Sequence, residues 1–338
     1  MASFLTAFDA QLKAYLEQLE ALQQRNQVQY AFQPTFWLQQ ADFDVAREVF
    51  VAAASAVGHT VTKFSLVYSK TPGKEEAASI CQALDKPCEQ LLAATNVALF
   101  CGAGPSLATE IINDATRLIK SVHDLVQTIE KGDRARVPQL TGRVWEYSTA
   151  RVSKSNCIAS KRSMLQSITM LNSTVDELKE FLAEQEEGDS ASGLDEVEQD
   201  DEFGFDSKLT EEERELFQSG LKLLSMCAAI MKRGVLTIKK LTITNDQDAL
   251  LKWTAKLDVS YTAVQDAIVD FGAALYPPIG TDELAEAVSE LERPATDILA
   301  CLKEQPELAE TEDNALHVGE AAFAKQLATV KSQIETSQ

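Results

Sequence analysis

Apolar residues recur at steps of three and four along nearly the whole chain, which is the period of a helix with one buried face. Residues 3 to 25 place Leu5, Phe8, Leu12, Tyr15 or Leu16, Leu19 and Leu22 in that register. Pro34 breaks the pattern, and a second run over 35 to 69 carries Val45, Val49, Ala53, Val57, Val61, Phe64 and Tyr68. Thr71-Pro72-Gly73 ends it, since proline cannot continue a helix. The same reading predicts helices over 74 to 101, kinked at Pro87, and over 106 to 131. It then predicts one long helix over 139 to 185, read mainly from Leu165, Ile168, Leu171, Val175, Leu178 and Leu182. Four further helices follow over 209 to 243, 247 to 276, 281 to 304 (with Pro294 a kink or break) and 314 to 335. No segment alternates strictly enough for a half-buried strand, and no fixed-period repeat is present.

Between the two sets of helices the composition changes. Residues 184 to 207 hold eleven acids and no base, interspersed with Gly and Ser. Like charges repel and Gly adds freedom, so this stretch is expected to be a disordered, extended linker. The predicted fold is therefore all-α: two antiparallel helical bundles, of about five and four helices, since short connections make neighbours antiparallel. Their expected bounds are 1–183 and 208–338, with the linker at 184–207.

Composition agrees with that picture. Apolar residues are 45% of the 338, enough for a core, while Gly (14) and Pro (9) are too few for turn-rich sandwiches or barrels. A net charge of -21 disfavours direct nucleic-acid binding and anionic membrane surfaces, because phosphates are repelled. Six cysteines at wide, irregular spacings, with no CxxC pair, read as free buried thiols in a reducing compartment. The N-terminus lacks a basic n-region and a long apolar run, and Ala at position 2 excludes myristoylation. A cytoplasmic or nuclear protein is expected.

Motifs for chemistry are scarce. His59, His123 and His317 lie far apart and away from any Cys, so no metal site is expected. Gly102-Ala103-Gly104 lacks the third glycine and the strand of a dinucleotide loop, and reads as a helix–helix turn. Asp200-Asp201-Glu202 resembles the magnesium-binding acidic motif of all-helical terpene synthases, but sits in the Gly-rich linker and has no second metal motif. No catalytic residue and no cofactor are expected.

Residues 131 to 162 hold eight Lys or Arg (Lys131, Arg134, Arg136, Arg143, Arg151, Lys154, Lys161, Arg162) against Asp133 and Glu146. Net positive charge in an acidic chain marks either a solvated face or a partner-binding one. Val144-Trp145-Glu146-Tyr147 lies inside it, and its aromatics are expected in the core. Tyr276-Pro277-Pro278 reads as a helix stop with the tyrosine packed over the joint, or else as a peptide-like ligand motif. Ser192, with Asp195 and Glu196 following, suits an acidophilic kinase and makes a phosphoprotein of the chain.

Several of these segments together resemble the cyclin-D-interacting protein (GCIP) family. Val144-Trp145-Glu146, then Asn156 and Ala159, then Val175-Asp176-Glu177 running into the acidic stretch, is similar to one half of the family's pattern. Val269-Asp270 leading to Leu275-Tyr276-Pro277-Pro278 is similar to the other. Thr62-Lys63-Phe64-Ser65-Leu66 and Gly104-Pro105-Ser106-Leu107 add to it, so that the likeness spans roughly 40 to 305.

The resemblance implies a non-enzymatic, all-α regulator of cell cycle and transcription. Its implied partners are D-type cyclins and helix-loop-helix factors, met in nucleus and cytoplasm. The candidate partner-binding residues are Val144, Trp145, Arg151, Asn156, Ala159, Asp270, Tyr276, Pro277 and Pro278, with the cleft between the bundles the expected surface. A cytoskeletal adaptor of the vinculin or talin-rod type is the alternative that helical bundles also allow.

Overall fold

The computed structural model describes residues 2–29, 42–149, 151–191, 208–240, 247–304 and 313–337. They form α1 (Ala2–Gln29), α2 (Asp42–Tyr68), α3 (Lys74–Phe100), α4 (Pro105–Glu130), α5 (Val137–Ser148), α6 (Asn156–Ala191), α7 (Glu211–Lys240), α8 (Gln247–Ala274), α9 (Thr281–Lys303) and α10 (Asp313–Thr336). No strand occurs among the described residues, so the all-α class is established. Pro87 and Pro294 are buried inside α3 and α9, and both helices run through them.

The chain divides into two compact units. One comprises 1–160 with 245–255, and the other 161–244 with 256–338. In the first, α2 packs on α3, α1 on α4, and α5 on both α2 and α4. Leu12, Leu19, Phe43, Phe50, Phe64, Leu84, Leu91 and Leu107 fill its core. In the second, α10 packs on α7 and α9, and Phe217, Leu224, Tyr261, Phe271, Leu291 and Val330 are among the unit's buried residues.

Two turns show how helices are stopped. After α3, Gly102 adopts φ 99°, and the Ala103 amide donates back to the Ala98 carbonyl at 3.3 Å. After α4, Gly132 adopts φ 76°, and the Asp133 amide donates to the Thr128 carbonyl at 3.1 Å. Both satisfy helix-end carbonyls through a left-handed residue, a conformation that glycine adopts without a Cβ penalty.

The structure corrects the sequence reading at several points. The single helix expected over 139 to 185 is two, α5 and α6, separated around 149–155. There the Ser153 amide and hydroxyl both bond to the Glu110 carboxylate, so that this backbone donor leaves the helical ladder. At its other end α6 runs on to Ala191, eight residues into the stretch expected as linker. Glu184, Gln185, Glu186 and Glu187 are good helix formers, and their propensity prevails over their mutual repulsion. Residues 192–207, which include Ser192 and Asp200-Asp201-Glu202, lie outside the described residues, as do 35–41 and 241–246.

Register errs where spacing is uniform. Val45 and Val49 are 59% and 45% exposed, and Phe43, Ala46 and Phe50 face the core in their place. A run of four-residue steps drifts about 40° per step around a 3.6-residue helix, so one end of such a stripe leaves the core. Leu165 is likewise exposed, and Met164 is buried instead.

Candidate partner-binding surfaces

In the first unit, α5 is brought onto α2 at Gly58. A Cβ there would stand 2.7 Å from Ser148 Cβ, so the absence of a side chain is what lets the helices approach. Ser65 and Thr141 hydroxyls then pair at 2.6 Å across the same contact. Val144 is fully buried and packs inward, leaving it no surface for a partner. Trp145 is 39% exposed, which corrects the expectation of a core position. Its indole N–H donates to Thr62 Oγ1 at 2.8 Å, and its ring meets the His59 ring edge-on with centroids 5.2 Å apart. The indole is thus fixed along one edge and open on the other side.

Asn156 and Ala159 are buried and act on the fold rather than at the surface. Asn156 Oδ1 accepts from the Gly104 amide at 2.7 Å, and its Nδ2 donates to the Gly102 carbonyl at 2.9 Å. The side chain therefore fixes the turn between α3 and α4. Glu110 holds Ser153, and the Ser106 and Ser160 hydroxyls pair at 3.2 Å, completing the connection of α4 to 153–160.

Of the basic residues over 131–162, Lys131, Arg134, Arg136, Arg143, Arg151, Lys154 and Arg162 are exposed and Lys161 is partly so. Arg151, Lys154 and Arg162 have partners within the molecule.

In the second unit, Tyr276 closes a joint. Its hydroxyl donates to Glu177 Oε1 at 3.1 Å, and its ring packs on Phe181, whose ring in turn meets Phe217. Burial, and then the Glu177 contact, push the Tyr276 hydroxyl pKa up. The Pro277–Pro278 bond is cis. Next along the chain, the Ile279 amide donates to Glu213 Oε1 at 3.0 Å.

Glu213 also accepts the amide and hydroxyl hydrogens of Thr210, both at 2.9 Å, while its own amide donates to Thr210 Oγ1 at 3.2 Å. This reciprocal capping box starts α7. Burial opposes ionisation, but these hydrogen bonds outweigh it and hold the Glu213 carboxyl below its ordinary value. The helix-stop reading of Tyr276-Pro277-Pro278, with the ring packed over the joint, matches this geometry.

Asp270 is exposed on α8 and lines an open groove of about 700 Å³ with Asp266, Glu290, Arg293 and Asp297. Trp145, Arg151 and Asn156 therefore belong to one unit, and Asp270 and Tyr276 to the other. Sequence reading missed Glu110, Ser153 and Glu213. Only the last had a local signal, the Thr210-x-x-Glu213 spacing. Among the described residues no three His, Cys, Asp or Glu side chains are grouped to hold a metal ion. The cysteines are free thiols, all buried but the half-buried Cys157.

Residues 49–184, from within α2 to within α6, match the protein-family model described as Grap2 and cyclin-D-interacting, N-terminal. Comparison with curated proteins finds no match.

Proposed function

We propose, for a chain that over residues 49–184 is a member of the Grap2 and cyclin-D-interacting family, that it binds a D-type cyclin and acts by occupying that partner rather than by catalysis. The matched residues carry the observation that supports this reading: an aromatic ring held in place by Thr62 and His59, yet 39% exposed, with exposed Arg134, Arg136 and Arg143 close to it in the sequence of an acidic protein. A rigid tryptophan is a good anchor, because little side-chain freedom is lost on binding. Exposed Arg134, Arg136 and Arg143 would form the charged rim, where they speed encounter and make binding sensitive to salt.

Control of transcription follows in the same way, by sequestering helix-loop-helix factors, in nucleus and cytoplasm alike. Calorimetry with a purified D-type cyclin at low and high salt tests the reading. The expected result is micromolar or tighter binding that weakens with salt and weakens roughly tenfold in Arg134→Glu/Arg143→Glu, a loss of about 1.4 kcal/mol. No heat of binding at either salt concentration would overturn it.

A further inference from the structure

Helix α2 has two apolar faces, and the first unit uses one of them. Phe43, Phe50, Val57, Val61 and Phe64 are buried. On the outward side Val45, Val49 and Leu66 are 59%, 45% and 65% exposed, with exposed Ala52 and half-buried Ala56 between them. Positions 45, 49, 52 and 56 follow one another at steps of four, three and four, the spacing by which one helix seats against another. An 18-residue window of α2 has a mean hydropathy of 1.3, and 39% of that window is buried. The helix is therefore more apolar than its own core requires, and the surplus lies along one outward stripe. Small residues at its middle allow a second backbone close approach.

Charge says what covers the stripe. Glu48 is exposed in the first half of α2 and Lys63 is exposed in the second. Two copies of α2 laid antiparallel, crossing beside Ala56 between positions 55 and 56, set Glu48 of each against Lys63 of the other. The same crossing sets Val45 against Leu66, with Val49 one turn further in. A parallel pairing sets like charges together. A two-fold axis requires that every such contact occur twice, so each reversed charge is felt at two places.

We propose that the outward face of α2 is a self-complementary docking surface for a second copy of this chain, paired antiparallel. The proposal does not rest on the cyclin reading. It would survive the failure of that reading and could fail while that reading stood.

Sedimentation equilibrium of the full chain across the micromolar range tests it. The wild type is expected to dimerise. Val49→Glu, Glu48→Lys and Lys63→Glu are each expected to weaken the dimer by roughly tenfold, since all three positions are exposed and the changes add repulsion or bury a charge. The double variant Glu48→Lys/Lys63→Glu restores both ion pairs with reversed sign, and is expected to recover wild-type association. Unchanged circular-dichroism melting of each variant shows that the fold is intact. A monomeric wild type would overturn the proposal. So would a double variant as weak as the single ones, or a dimer indifferent to Val49→Glu. Binding of α2 to lipid vesicles or to another protein, with no self-association, would overturn it as well.

Discussion

The Glu110 carboxylate grips Ser153 twice, accepting its amide hydrogen and its hydroxyl hydrogen, each at 2.7 Å. The contact joins α4 to a residue forty-three positions later, and it sits where α5 has ended and α6 has not begun. Hydrogen bonds to an ionised group contribute more than neutral ones, about 1.5–3 kcal/mol when partly buried. Glu110→Ala is therefore expected to cost about 2 kcal/mol of stability by urea unfolding, allowing for partial replacement by water. Ser153→Ala removes only the hydroxyl bond and should cost about half as much. If the two costs were equal, or both near zero, the grip would not be what fixes the break.

Gly58 makes a different kind of contact, one of absence. The α2–α5 approach depends on there being no side chain at this position, because a Cβ would overlap Ser148. Gly58→Ala should therefore destabilise by about 1–3 kcal/mol, despite the better helix propensity of alanine. Ser148→Gly in the same chain removes the obstructing atoms. The double variant is expected to be more stable than the Gly58→Ala single, by a coupling of at least about 1 kcal/mol in a double-mutant cycle. Additive costs would mean that the two residues do not meet.

The Glu213 clasp should give stability a dependence on acid. Its hydrogen bonds favour the ionised form, so its folded pKa lies below the unfolded one. Such a group contributes fully above the unfolded carboxyl value, near pH ~4.3, and its contribution is lost as pH falls through the lower folded value. Glu213→Gln cannot ionise. The melting temperature of the wild type should exceed that of Glu213→Gln at neutral pH, and the gap should close below about pH 4. A gap that stayed constant down to that acidity would assign the effect to packing. Hydrogen exchange at the Ile279 amide, faster in the variant, reads the same contact directly.

How far these features could be read from the sequence depended on whether their causes were local. The inward face of α4 was legible: of the expected Leu107, Ile111, Ala115, Leu118, Val122, Leu125 and Ile129, all are buried but the last, which is partly so, because mixed steps of three and four hold one face. In α2 the steps were nearly all fours, and Val45 and Val49 drifted outward. The break between α5 and α6 had no legible cause, since Glu110 and the Gly102–Gly104 turn reach Ser153 and Asn156 from far along the chain. The Tyr276 joint was legible as a helix stop because Pro-Pro and Gly act on their own backbone. Its partners Glu177 and Phe181 were not, since they lie on another helix. Trp145 was placed in the core on bulk alone, whereas its bond to Thr62 holds the ring at the surface.

The six cysteines should differ sharply in reactivity. Only the thiolate attacks, and burial raises the pKa of a thiol by disfavouring its charged form. Burial pushes Cys227 up to about 12. Burial, followed by the nearby Glu304 carboxylate, pushes Cys301 up to about 12. Cys81 and Cys88 are raised by burial as well. Cys157 alone is half-buried rather than buried. Under native conditions near neutral pH, a thiol-specific disulfide reagent should therefore modify Cys157 first and leave Cys227 and Cys301 unmodified. In denaturant all six thiols of the chain should react. The Cys157→Ser variant should lose the early native phase and keep the slow one, which then follows unfolding. Early modification of Cys227 or Cys301 in the native protein would mean that the core of the second unit opens to solvent far more readily than its packing indicates.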